Sequence, residues 1–181
     1  MVMPIGPLMT EHRLIERMIG LMERESEKIR REKRANFEFI EIAVDFIRTY
    51  ADRLHHGKEE DILFRDLKAK KLEEQHKKTM EELIEEHRWG RKKVKELVDV
   101  NKIYKEGDES AIEAIFKCLQ DLIHFYPRHI EKEDKHFFIP VMNYFSQPEQ
   151  ESMLEEEREF DRNIIHEIYT AKINEIKRIF S

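Results

Sequence analysis

The side chains with the most chemistry to offer are histidines and glutamates set four apart. His55 precedes Glu59 and His56 precedes Glu60 in "HHGKEED" (His55–Asp61), and His129 precedes Glu133 in "HIEKED". Helical residues four apart share a face and adjacent ones do not, so one of the two overlapping pairs is expected to face a buried site. Two further histidines lie in related strings. "LMTEHRLIERMI" (Leu8–Ile19) and "LIEEHRWGRKKV" (Leu83–Val94) align without gaps and set His12 against His87. Imidazoles and carboxylates together suit iron, manganese or zinc better than calcium or magnesium. A His-x-x-x-Glu spacing alone says little in a chain with 39 acidic residues. The repeated arrangement carries the argument.

Elements that could bring these groups together are legible in the apolar periodicity, which is helical nearly throughout. Helix 1 is expected from Thr10, as N-cap, to Arg31, with Leu8, Ile15, Ile19 and Met22 on one face. Helix 2 covers Asn36 to Leu67 on a stripe of Phe39, Ile42, Phe46, Tyr50 and Phe64. Helix 3 covers Leu72 to Lys105. "EGDES" (Glu106–Ser110) is a break, with a C-terminal glycine and Ser110 as the next N-cap. Helix 4 follows from Ala111 to Phe138. Helix 5 follows "SQPEQ" (Ser146–Gln150), with Leu154, Ile165, Ile168, Tyr169 and Ile176 as its stripe.

Helices 2 and 4 align in two registers. Matching His55 to His129 pairs the strings "KEEDILF" and "KEDKHFF" but sets Phe46 against Gln120. Matching His56 to His129 keeps Phe46 on Leu119, Tyr50 on Ile123, Glu60 on Glu133 and Phe64 on Phe137. At about 100° per residue His55 points away from the Phe46/Phe64 stripe, so burial phase favours His56 and Glu60. The chain is then a duplicated helical hairpin that converges His12, His56, Glu60, His87, His129 and Glu133 in an antiparallel four-helix bundle. Four imidazoles and two carboxylates are too costly to bury unpaired. One or two metal ions would satisfy them, with two histidines on each metal and both carboxylates bridging. His55 and Glu59 are expected behind or outside the ligands, with His55 also a substitute ligand. Arg91 is expected in solvent or on a carboxylate at the pocket mouth.

Composition bounds the rest. A chain of 181 residues with 5 Gly and 5 Pro suits one domain of long helices. A net charge of -6 with no basic block argues against nucleic acid. No apolar run approaches the roughly 20 residues of a membrane span. The single cysteine, Cys118, fits a reducing cytoplasm.

The strings "EHR", "HHGKEEDILF", "EEHRWGR" and "HIEKEDKHFF" followed by Pro140 resemble the hemerythrin-like, or HHE cation-binding, family over roughly Met9 to Tyr144. The resemblance implies an all-α fold, an antiparallel four-helix bundle over 1–146 built as a duplicated hairpin. It leaves residues 147–181 as an additional C-terminal helix, packed on the bundle or forming a homodimer. It implies a non-haem di-iron centre, with manganese or zinc as alternatives, on His12, His56, Glu60, His87, His129 and Glu133, and a role with dioxygen, nitric oxide or iron. Oxygen-carrying hemerythrins have a second helix 3 histidine one turn after the first, and this chain has Arg91 there. A non-enzymatic binding module is the reading taken. The alternatives are an enzyme acting on peroxide or nitric oxide, or repairing iron-sulfur centres, and a metal-free structural bundle.

Overall fold

The structure, a computed structural model, describes residues 3–179, and the side chains of all of these except 169, 171, 172 and 174–179. It has five helices and, among the described residues, no strand. Helix α1 is Ile5–Glu32. Helix α2 runs through 37–68 as Phe37–Phe46, the π-helical turns Ile47–His56 and Glu59–Leu63, and Phe64–Lys68. Helix α3 is Glu74–Lys105. Helix α4 covers 109–141, with a π-helical turn at Lys132–Phe137, and α5 is Gln147–Ile179.

Helix ends follow local chemistry. Thr10 is inside α1 rather than capping it, its hydroxyl donating to the Gly6 carbonyl at 2.9 Å. The helix starts earlier because Pro4 and Pro7 stand where a first turn needs no N–H donor. Asn36 caps α2 by accepting from the Phe39 N–H at 3.1 Å. Gly107, at φ 103°, ends the α3 turn in a conformation that glycine adopts without strain. The cap that follows is Asp108, which accepts from the Ser110 N–H at 3.0 Å, and not Ser110 itself.

The four long helices pack in a closed ring, α1 on α2, α2 on α3, α3 on α4 and α4 on α1. Two apolar clusters fill it. One holds Ile15, Ile19, Met22, Ile40, Ile47, Leu97, Leu119 and Leu122, with Cys118 at its side. The other holds Leu8, Phe64, Leu83, Phe137, Phe138 and, from α5, Met153. On every helix of the ring the buried histidines lie between residues of the first cluster and residues of the second. The polar groups therefore form one layer with apolar packing above and below.

Two expected stripes are displaced. On α2 the buried face is Ile40, Ala43, Val44, Ile47 and Ala51, while Ile42 is 63% exposed and Phe39 and Phe46 are only partly buried. The bulky aromatics mark the flank, and two alanines mark the face that closes on the neighbours. On α5 the buried residues are Met153, Glu157 and Ile164. Ile165 is exposed and Leu154 half-buried, while the Tyr169 and Ile176 side chains lie outside those described.

Candidate metal centre

Ile47, Ala51, His55, Glu59 and Leu63 are all buried, and each stands four residues after the last. On a regular α-helix such a row drifts off its face by about 40° per step. The π-helical turns of α2 hydrogen-bond to the fifth residue instead of the fourth, and the wider turn holds the row in line. This turns His55 inward and makes Glu59, not Glu60, the glutamate that enters the layer. His56 is buried too, on the adjoining side. The π-helical turn of α4 at Lys132–Phe137 does the same for His129, Glu133 and Phe137.

The layer holds five imidazoles and two carboxylates: His12 from α1, His55, His56 and Glu59 from α2, His87 from α3, and His129 and Glu133 from α4. All are buried. Ligand atoms of His56, His87 and His129 lie within 4.8 Å of one another, as do those of His12, His55, Glu59 and Glu133. The two glutamates span both groups. Glu59 has Oε1 3.3 Å from His55 Nε2 and Oε2 3.3 Å from His87 Nε2. Glu133 has Oε2 3.2 Å from His12 Nε2 and Oε1 3.3 Å from His129 Nε2. The expected His12, His56, His87, His129 and Glu133 are thus brought together. Glu60 is not: it sits half-buried at the edge, and Glu59 takes the central place.

Behind the layer runs a ring of carboxylates, each bonded to the imidazole of the next helix. Glu11 of α1 accepts from His55 Nδ1 at 2.9 Å, and Glu60 of α2 from His87 Nδ1 at 2.7 Å. Glu86 of α3 accepts from His129 Nδ1 at 2.8 Å, and Asp134 of α4 from His12 Nδ1 at 2.7 Å. Each of the four is the chain neighbour of a residue in the layer. Each also has a cation behind it: Lys58 on Glu11, Arg91 on Glu60 at 2.7 Å, Lys132 on Glu86 at 2.5 Å and Arg13 on Asp134. Arg91 reaches Asp52 at 2.7 Å as well, and Asp52 lies 3.4 Å from His56 Nδ1. The position one turn after His87 thus carries an outer cation, and the third imidazole of the His56 group comes from α2.

This arrangement fits a metal. With Nδ1 engaged, the Nε2 atoms of His12, His55, His87 and His129 point inward, and neither they nor the four oxygens of Glu59 and Glu133 have a hydrogen-bond partner. Buried polar atoms are rarely left so, and imidazoles backed by carboxylates on the far nitrogen are the usual way proteins orient metal ligands. Phe138 stacks on His12, Phe64 on His87 and Phe125 on His129, which walls the rings in. Charge is concentrated here. Burial works against a charged His12, but Asp134 and Glu133 carry its pKa up to about 10. Burial would also raise Glu133, as would Glu59, yet the facing imidazoles hold it at about 2. His56 is pushed well below its ordinary value by burial and by the charges on His87 and His129.

Two cavities border the layer from outside, one of about 310 Å³ beside His129, lined by Glu86, Trp89 and Phe125 among others, and one beside His56. The cavity beside His56 encloses about 300 Å³ and is lined by Arg48, Asp52, Arg91, Lys95 and Tyr126 among others. Among the described residues no helix is long and apolar enough to cross a membrane.

Helical phase places His55 and Glu59 outside the site and gives no outer ring, whereas the structure turns both inward and backs the layer with four carboxylates. The signal for the first was the string match of "KEEDILF" with "KEDKHFF", whose register the structure follows. It pairs His55 with His129, Glu59 with Glu133, Glu60 with Asp134 and Lys58 with Lys132. The signal for the ring was the acidic neighbour beside each inward residue, in "EH", "EE", "EH" and "ED". The family model described as hemerythrin HHE cation-binding domain matches residues 3–139. No curated protein and no solved structure matches the chain significantly.

Proposed function

Because the chain belongs to the hemerythrin HHE cation-binding domain family, and because its buried donor atoms converge in two groups, we propose that it holds two iron ions. His56, His87 and His129 would hold one ion, and His12 and His55 the other. Glu59 and Glu133, whose oxygens face both groups, would supply carboxylate ligands to the pair. The reading rests on one observation: eight inward nitrogen and oxygen atoms are buried and without a hydrogen-bond partner. A purely structural bundle has no reason to bury four imidazoles and two carboxylates in that state.

The two halves differ, with three imidazoles in one and two in the other. When bound, ferrous iron would supply electrons to dioxygen or nitric oxide. The protein's own part is to fix the imidazole orientation through the carboxylate ring, to exclude bulk water with the apolar layers, and to admit a small ligand through the cavity beside His56. This supports a binding or sensing role over the handling of a large substrate.

Elemental analysis of protein purified from iron-sufficient cells tests the proposal. About two metal ions per chain are expected, and a reproducible single ion, or none, overturns it. Manganese or zinc in the same amount would keep the site and change the metal.

A further inference from the structure

The outer ring has approximate twofold symmetry, and α5 breaks it. Lys58 and Lys132 are equivalent in the two hairpins, each pairing with the carboxylate that supports an imidazole. Lys132 sits at the rim, 28% exposed. Lys58 is fully enclosed, and besides Glu11 it pairs with Asp161 of α5 at 2.8 Å. Gly57 makes the close approach possible. A Cβ there would stand 2.7 Å from the Phe160 ring. Phe160 and Asp161 lie beyond the family-matched residues 3–139, so this contact is an addition to the common bundle.

A chain of charges therefore runs from α5 to one imidazole: Asp161 to the Lys58 ammonium, Lys58 to Glu11, and Glu11 to His55 Nδ1 at 2.9 Å. The alternation of sign matters. An ammonium shared between two carboxylates draws less negative charge from either than one bound to a single carboxylate. The fuller the charge on Glu11, the more strongly it accepts from Nδ1–H, and the better a donor Nε2 becomes. In an enclosed setting such effects are poorly screened.

We propose that α5 is an electrostatic part of the metal centre: Asp161, through Lys58 and Glu11, sets the donor strength of the His55 imidazole. Asp161 is a positioning residue that touches neither metal nor ligand. The proposal rests on the two-metal reading above and does not depend on which metal is native. Zinc, which has no redox chemistry, serves as the probe.

The test is a double-mutant cycle on the full chain, with zinc affinity read by competition against a chromophoric chelator. Zinc binding by the unaltered protein is measured first, and its absence would remove the site reading and this proposal together. Asp161→Asn is close to isosteric and leaves Lys58 paired with Glu11, and the metal-free melting temperature of each variant separates any loss of stability from the change in zinc affinity. Zinc at the affected position should bind roughly tenfold more weakly, in the range seen for groups that support metal-bound histidines. Glu11→Gln should weaken it at least as much. In the Glu11→Gln background, Asp161→Asn should then have no further effect, because its route to His55 is already cut. A penalty of the same size in both backgrounds, or no penalty in either, overturns the proposal while leaving the site intact.

Discussion

His55 and Glu59 meet one turn apart on α2, with Nε2 and Oε1 separated by 3.3 Å and both side chains fully enclosed. One residue along, Glu60 faces outward, held by Arg91 and bonded to the outer nitrogen of His87. Adjacent glutamates thus have different roles, and substitution should separate them. Glu59→Gln is expected to cut metal content to one ion per chain or fewer. Glu60→Gln should keep both ions while weakening affinity by roughly 10- to 100-fold, as for other groups that orient metal ligands. Metal analysis of the two variants side by side decides this, and the reverse ranking would return the site to His56 and Glu60 alone.

The helices and five of the seven inward residues are legible in the sequence, because apolar periodicity marks the regular helices and the repeated strings carry His56, His129 and Glu133 with them. His12 and His87 are found this way from a gapless match. His55 and Glu59 are not, since phase arithmetic assumes a constant turn and α2 changes its turn between Ile47 and Leu63. The aromatic residues add to the error. Phe46 and Tyr50 attract the stripe, while the buried face is carried by Ala43, Val44, Ile47 and Ala51. The outer ring is hidden for a different reason, because each bond in it joins two helices and neither helix alone shows it.

The close approach of α5 gives a contrast between two glycines. At Gly90 an added Cβ would meet Phe125 at 3.6 Å, an ordinary contact, so Gly90→Ala should stabilise the α3 helix by up to about 1 kcal/mol. At Gly57 the same change meets the Phe160 ring at 2.7 Å. Gly57→Ala is expected to cost about 1–3 kcal/mol, and a second change, Phe160→Leu, should recover part of it. Chemical denaturation of the three variants tests this. Equal effects of alanine at both positions would contradict the packing.

Removing metal should loosen the centre without unfolding the bundle. The apolar clusters on either side of the histidine layer do not depend on it, and in the metal-free protein protons on the imidazoles offset the two glutamates. The metal-free chain should therefore keep its helical circular dichroism and melt several degrees lower than the loaded chain, by an amount that grows with free metal concentration. Loss of helix on chelation would show instead that the metal is required for folding, as in zinc fingers.

The last prediction concerns Glu157, a buried carboxyl of α5 whose two oxygens have no hydrogen-bond partner. Burial pushes its pKa from 4.5 up to about 8, against the nearby charge of Lys58. The folded chain therefore holds a proton there that the unfolded chain has already released. Stability from this group is full below pH 4.5 and is lost as pH rises through 8. In that window the slope is about 1.4 kcal/mol per pH unit for one proton. Glu157→Gln keeps the shape and removes the ionisation. The variant should lose this slope and become more stable than the unaltered protein above pH 8, by a few kcal/mol as an order of magnitude. Urea unfolding at pH 6 and at pH 9 reads the difference, and parallel stability curves for the two proteins would show that Glu157 is ionised in the fold.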